Sequence, residues 1–457
     1  MSLNNFIHFG CWNKGTSYLR SVDSTETASN LTNVMRKLNE FTEETHPEFI
    51  VVAGDNYYPN KLTVVDGGKK IKIKKFDEDD MFSGFDSLPK NVEIDVVMGN
   101  HDYETNLYVS NLDQVETSCK ILRTEYMYEK TLNKNLNIVI NKARLFQDDT
   151  LILMIDTTIY DDEYAEGVID CYKIHPEFAN KQEPLTVQSV RTYQSDFIKN
   201  SIDEYIDVIK NVIIIGHHPI TGYKVKGNKT KLISSPGKPL LDVFYNDIHK
   251  RLLDKKIDYY YLCADLHQYQ TGNIAISPLE GDYSDSKMFI KQYIVGTGGA
   301  DLDAYPFKEG DEGRREMIVM PPVSDDDERN GNGNGKIERY NVEYLMTTEE
   351  VALPGYVYGF LQCSKDGDDL VFKFINIGTK PIIEENPRAG IQLLSGNTGG
   401  MKKTRRYKNI KNKNKNKNKK ITHKQKRKKN KTHKKYKKQI KKYNRNHNRN
   451  HKKTMKY

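Results

Sequence analysis

Four short polar clusters follow apolar runs in this chain: Gly54-Asp55-Asn56-Tyr57-Tyr58, Gly99-Asn100-His101-Asp102, Gly216-His217-His218-Pro219 and Asp265-Leu266-His267. A fifth, Gly10-Cys11-Trp12-Asn13, has the same placement but carries a cysteine. Hard cations take oxygen and imidazole ligands. A carboxylate that bridges two such ions, about 3.5–4 Å apart, lets the pair clamp both the attacking and the leaving oxygen of an in-line displacement. Asp55 is the candidate bridge. Tyr58, three residues on, can give a phenolate to one ion. Asn100 offers a neutral oxygen, and His217 and His267 offer imidazole nitrogens. His101, beside a candidate ligand, is placed to bind phosphate or to protonate a leaving group. Each residue alone also has an ordinary structural reading, since Gly-Asp after a strand is a common turn or helix N-cap. The joint occurrence, in order and each after an apolar run, is what points to a metal site.

The runs that must position these clusters read as strands. They are Asn5 to Gly10, Phe49 to Ala53, Val92 to Met98, Asn137 to Ile140, Leu151 to Ile155, Val212 to Ile215, Tyr259 to Cys263 and Tyr293 to Val295. Between them, Ala28 to Phe41 places Leu31, Val34, Met35, Leu38 and Phe41 at helical spacing, and Val190 to Ile209 has a helical mix. Apolar strands alternating with helices predict an α/β fold whose sheets are covered by helices. In such folds ligands gather at the carboxyl ends of the strands, which is where each cluster sits. Tyr356 to Leu361 and Leu370 to Phe374 read as a closing hairpin. Residues 324–336, SDDDERNGNGNGK, read as a surface insertion.

The net charge of +9 over 457 residues is unevenly spread. Residues 401–457 hold 28 Lys plus Arg and no acid, which leaves 43 basic against 62 acidic residues before them, a net −19. The expected organisation is one domain over 1–385 and, over 386–457, a linker with a disordered Lys/Asn/Arg-rich tail. Such a tail binds polyanions, nucleic acid among them, by counterion release, or serves only to keep the protein in solution. Lys424 to Lys429 also reads as a nuclear-import signal. Richness in Lys, Asn, Tyr and Ile suggests an AT-rich genome, such as that of a large DNA virus. The five cysteines are odd in number, widely spaced and without CxxC, so no disulfide framework is expected and a reducing compartment fits. There is no signal-peptide pattern and no run of the ~18 apolar residues that a membrane span takes. A soluble protein of cytoplasm, nucleus or virion is expected.

The order and local sequence of the clusters resemble the calcineurin-like metallophosphoesterase superfamily, and within it the purple, tartrate-resistant type of acid phosphatase. That branch carries GDWG, GDNxY, GNHD, GHxP and GHxH. Gly54 to Tyr58 and Gly99 to Asp102 match in full, and Gly216 to Pro219 matches well. Ile155-Asp156-Thr157 and Gly296-Thr297-Gly298-Gly299 are similar to further landmarks of the family. The resemblance covers residues 5–375. It implies two packed mixed β-sheets flanked by helices, and two divalent or trivalent metal ions. Asp55 would bridge them, Tyr58 and His267 would serve the first, usually iron, and Asn100 and His217 the second, which is iron, zinc or manganese. A metal-bound hydroxide would attack a phosphate ester, with His101 assisting at the substrate.

Two positions depart from the pattern. Cys11 stands where the GDWG aspartate is expected, and Asp265 where the first histidine of GHxH is expected. Both residue types bind metal. Cysteine must first ionise and is a softer donor; it is also a common core filler. The branch often has a second histidine after GHxP. Here Lys224, Lys226 and Lys229 follow, read as a solvated loop with anion contact as the other option. Three functions remain: a phosphoesterase with modified ligands, holding two ions or a single one; a catalytically impaired relative acting as a binding or structural module; and a protein whose role lies in its basic tail.

Overall fold

In the computed structural model of the chain, the uninterrupted apolar run Phe49–Ala53 forms a strand with every side chain buried, as expected for a strand covered on both faces. The structure describes residues 4–14, 30–66, 69–104, 107–108, 114–115, 118–122, 133–179, 184–226, 229–233, 237–278, 286–300, 302–303, 315–319, 340–347 and 357–379. The expected insertion 324–336 and tail 386–457 lie outside them.

Two large sheets carry the architecture. The six-stranded sheet runs Asp369–Thr379, Val357–Asp366, Asn5–Phe9, Phe49–Ala53, Glu93–Val97, Leu136–Val139. Its last four strands are mutually parallel. The eight-stranded sheet runs Arg315–Val319, Tyr340–Thr347, Tyr269–Pro278, Met288–Val295, Asp258–Cys263, Asn211–Ile215, Thr150–Ile155, Asn141–Phe146. Met288–Val295, Asp258–Cys263, Asn211–Ile215 and Thr150–Ile155 are parallel neighbours. The sheets pack through aromatic contacts. Phe6 stacks on Phe49 at 4.8 Å and meets Phe146 of the other sheet edge-on at 5.3 Å. Phe372 lies 4.9 Å from Tyr260 and 4.6 Å from Tyr293, ring centre to ring centre. Such pairs add about 0.5–1.5 kcal/mol each beyond their burial.

Helices cover the outside. Asn30–Thr45 meets the six-stranded sheet through Phe41 against Phe360. It runs a turn beyond the expected Phe41, where Thr42 and Thr45 donate their hydroxyls to the Leu38 and Phe41 carbonyls, both at 2.7 Å. Val187–Tyr205 buries Val190, Gln194, Ile198, Ser201 and Ile202, one face at helical spacing, with Thr186 as N-cap. The closing hairpin is longer than its apolar cores suggest, turning at Gly367 with φ 63°. No helix among the described residues is long and apolar enough to cross a membrane.

One expectation is overturned. Cys119 and Cys171 are joined in a disulfide, their Cα atoms 4.7 Å apart across 52 positions of chain. The helical turn Ser118–Ile121 packs on helix Ala165–Tyr172, a proximity that cysteine spacing does not reveal. Replacing both by serine should lower unfolding free energy by about 2–4 kcal/mol, seen as a lower urea midpoint. An unchanged midpoint would mean that the cross-link contributes nothing to the fold.

Candidate metal centre

The parallel strands of both sheets end on one rim, and backbone hydrogen bonds tie the ends together. Gly10 N donates to Val295 O (3.0 Å), Cys11 N to Gly54 O (3.1 Å), Ala264 N to His217 O (2.9 Å) and Ala300 N to Cys11 O (3.0 Å). The approach leaves no room for side chains at two glycines. A Cβ on Gly99 would lie 2.4 Å from Asp55 N, and one on Gly54, whose φ is 83°, would lie 2.5 Å from His217 Nδ1. Cys11, Asp55 and Asp265 all adopt left-handed backbone, with φ of 52°, 54° and 50°. This costs about 1–3 kcal/mol per non-glycine residue and concentrates at functional sites. Aspartate is enriched in that region; cysteine is not.

The turns deliver two groups of donor atoms that share Asp55. On its Oδ2 side, Tyr58 Oη donates at 2.5 Å and Cys11 Sγ lies at 3.8 Å. His267 Nε2 is 2.8 Å from the same Tyr58 hydroxyl. On its Oδ1 side, His217 Nε2 lies at 3.2 Å, and that nitrogen is also 3.1 Å from Asn100 Oδ1 and 3.9 Å from Asp265 Oδ1. All seven candidate ligands therefore meet. Ligand atoms of Cys11, Asp55 and His267 lie within 4.8 Å of one another, as do those of His217, His218 and Asp265. Asp265 approaches the cluster from its own left-handed turn, its Oδ1 3.9 Å from His217 Nε2.

Further residues hold these in place. His217 Nδ1 faces Ala53 O at 2.8 Å, which leaves Nε2 for the cluster. Thr157 Oγ1 accepts from the backbone N–H of His217 (3.1 Å) and of His218 (3.0 Å). Asp102 accepts from Gly99 N, Asn56 N and Asn56 Nδ2, each at 2.8 Å, and so binds the two central turns to each other. Asp303 accepts from His267 N at 3.2 Å and pairs with Lys224 Nζ at 3.1 Å. Lys224 lies in strand Gly222–Lys226 beside the cluster, which corrects the solvated-loop reading; the side chains of Lys226 and Lys229 lie outside the described residues. His101 is 31% exposed, lies tilted against the Tyr58 ring at 4.9 Å, and sets Nδ1 against Glu104 at 2.8 Å, with Lys74 on the same Glu104 oxygen. Asp102 was visible in the Gly-Asn-His-Asp motif. Thr157 lies in the Ile155-Asp156-Thr157 landmark, whereas nothing in the sequence marks Glu104 or Asp303.

The charges follow from this packing. Burial alone would raise the Asp55 carboxyl, but the charges of His217 and His101 and hydrogen bonds from His217 and Tyr58 outweigh it and hold it well below the usual range. Burial pulls His217 down, yet Asp55 overrides it and lifts the imidazole to about 9. Burial, then the Asp55 charge, push Cys11 and Tyr58 well above their ordinary values. His218 is driven down to about 4 by burial and by His217. Asp55, Asn100 and Asp265 thus turn oxygen lone pairs toward a nitrogen that must carry a proton to sit among them. That donor set fits a cation, and a bound cation reverses the preference toward thiolate and phenolate.

The model of the calcineurin-like phosphoesterase family matches residues 5–269, more than half of the chain. The chain therefore belongs to that family, a class of metal-dependent phosphoester hydrolases. No curated protein matches it.

A metal ion must displace the His217 proton, which persists up to about pH 9 without metal. Apparent metal affinity should therefore fall as pH drops below 9, by about tenfold or more per unit. Competition with a chromogenic chelator between pH 6 and 9 measures it. A flat profile would contradict His217 as a ligand.

Proposed function

We propose that the chain is an acid-phosphatase-like phosphoester hydrolase that works with two metal ions bridged by Asp55. The observation that carries this reading is that the two Asp55 oxygens face different donor groups. Cys11, Tyr58 and His267 would complete the first position, and Asn100, His217 and Asp265 the second. Cys11 as a soft donor favours zinc or iron(II) over a hard trivalent ion. The ions, when bound, supply positive charge at the phosphoryl group and an acidified water. His101, held through Nδ1 by Glu104, keeps Nε2 to hold or give a proton at the leaving oxygen. Lys224, paired with the Asp303 that holds His267, adds a positive charge near the first position. Residues 1–385 form the catalytic body in this reading, and residues 386–457 are an appendage.

One observation favours a second reading. The buried Cys11 thiol donates to Asp55 Oδ2, an arrangement in which the cysteine fills space rather than binds. The protein would then hold a single ion and act as a binding module, with residues 401–457 contacting a polyanion.

Turnover of 4-nitrophenyl phosphate and its bis-ester, by protein loaded with iron, zinc or manganese, separates the two. The first reading predicts turnover, and His101→Ala lowers kcat by about 10²–10⁴ with metal content unchanged. Lys224→Ala should raise KM more than it lowers kcat. Absence of turnover with all three metals would leave the second reading.

A further inference from the structure

The body of this protein is acidic, yet one hairpin is not. Strands Asn60–Asp66 and Lys69–Lys75 contain six lysines and a single acid, Asp66. Their antiparallel register sorts the side chains by face. Leu62 opposes Ile73 and Val64 opposes Ile71, so these four apolar residues share one face. Lys61 opposes Lys74, Thr63 opposes Lys72 and Val65 opposes Lys70, so Lys61, Lys70, Lys72 and Lys74 share the other. Lys61, Lys70 and Lys72 are exposed, and among the described residues no acidic side chain pairs with any of them. Like charges directly opposite one another destabilise a sheet. Lys61 across from Lys74 is such a pair, on a face that contributes little to the hydrophobic core. The arrangement is unfavourable for the hairpin alone and favourable once linked anions lie along it.

The lysine face also has a direction. Its inner member, Lys74, is bound to Glu104, the carboxylate that holds His101. Lys72 and Lys70 continue outward from there along the same strand, two residues or about 7 Å apart. We infer that this face is a binding track for a substrate with several linked phosphates, of which one is delivered to His101 while its neighbours lie on Lys72, Lys70 and Lys61. A single phosphomonoester would leave the outer lysines unused. The inference rests on the phosphoester reading only for what happens at His101; binding along the track is independent of turnover.

The test uses the full chain, with the basic residues 401–457 present as a competing site for the probes. A single-stranded oligonucleotide and an inorganic polyphosphate of equal length serve as probes. Affinity is measured against salt for wild type and for Lys61→Gln/Lys70→Gln/Lys72→Gln. Loss of three phosphate contacts should reduce the slope of log K against log salt by about 2. Lysine-acetylation footprinting by mass spectrometry then locates the contact. Protection of Lys61, Lys70 and Lys72 by either probe upholds the track, and whichever probe protects them names the source of the phosphates. An unchanged slope, or protection confined to residues 402–456, overturns it. A protein that gives the footprint but turns over no phosphoester would instead remove the hydrolase reading and leave the track standing.

Discussion

The Asp55 carboxylate is the point on which the rest of this structure turns. It is 1% exposed and carries a negative charge in a protein interior, a state tolerated only when partners surround it. The fold supplies them from four strand ends: the His101 N–H at 3.0 Å and His217 on one oxygen, Tyr58 and Cys11 on the other. To bring those ends close enough, Gly54 and Gly99 give up side chains altogether, and Asp55 itself takes a left-handed backbone. Asp102 then locks the two central turns together with three hydrogen bonds. Core packing provides the stability that holds this strained rim closed.

The same constraint bears on Cys11 and Asp265. Cys11 and Asp265, each in its own turn, adopt the same left-handed backbone as Asp55. The donor atoms differ. Residue 11 presents a sulfur that burial keeps protonated without metal. Residue 265 presents a carboxylate oxygen 3.9 Å from His217. The rim thus combines hard oxygen donors with one soft sulfur on a single backbone conformation. Such a donor set acts on which metal binds and how many protons leave with it.

Much of this was legible in the sequence because the strands are short, apolar and punctuated by glycine. Phe49–Ala53 was read to the residue, and Asn211–Ile215 and Asp258–Cys263 within one. The candidate ligands were legible for the same reason, since a polar residue just past a buried strand has few places to go but the rim. Two supporting residues were not. Glu104 is set against His101 by the local turn Asn100–Tyr103 that it caps, whereas Asp303 is an ordinary acid that only tertiary folding sets against His267. The Cys119–Cys171 bond was missed because pairing depends on two helical segments meeting, which spacing does not encode. Lys224 was misread because its loop-like sequence forms a strand pinned by Gln270, which accepts from Tyr223 N at 2.9 Å.

The measurement that bears most directly on the account is metal content by mass spectrometry, on protein purified without chelator, for wild type, Asp55→Asn and Cys11→Ser in parallel. The account predicts two ions per chain in wild type, loss of both in Asp55→Asn, and loss of one in Cys11→Ser. A folded wild-type protein that holds no metal, or an Asp55→Asn variant that holds as much as wild type, would contradict it.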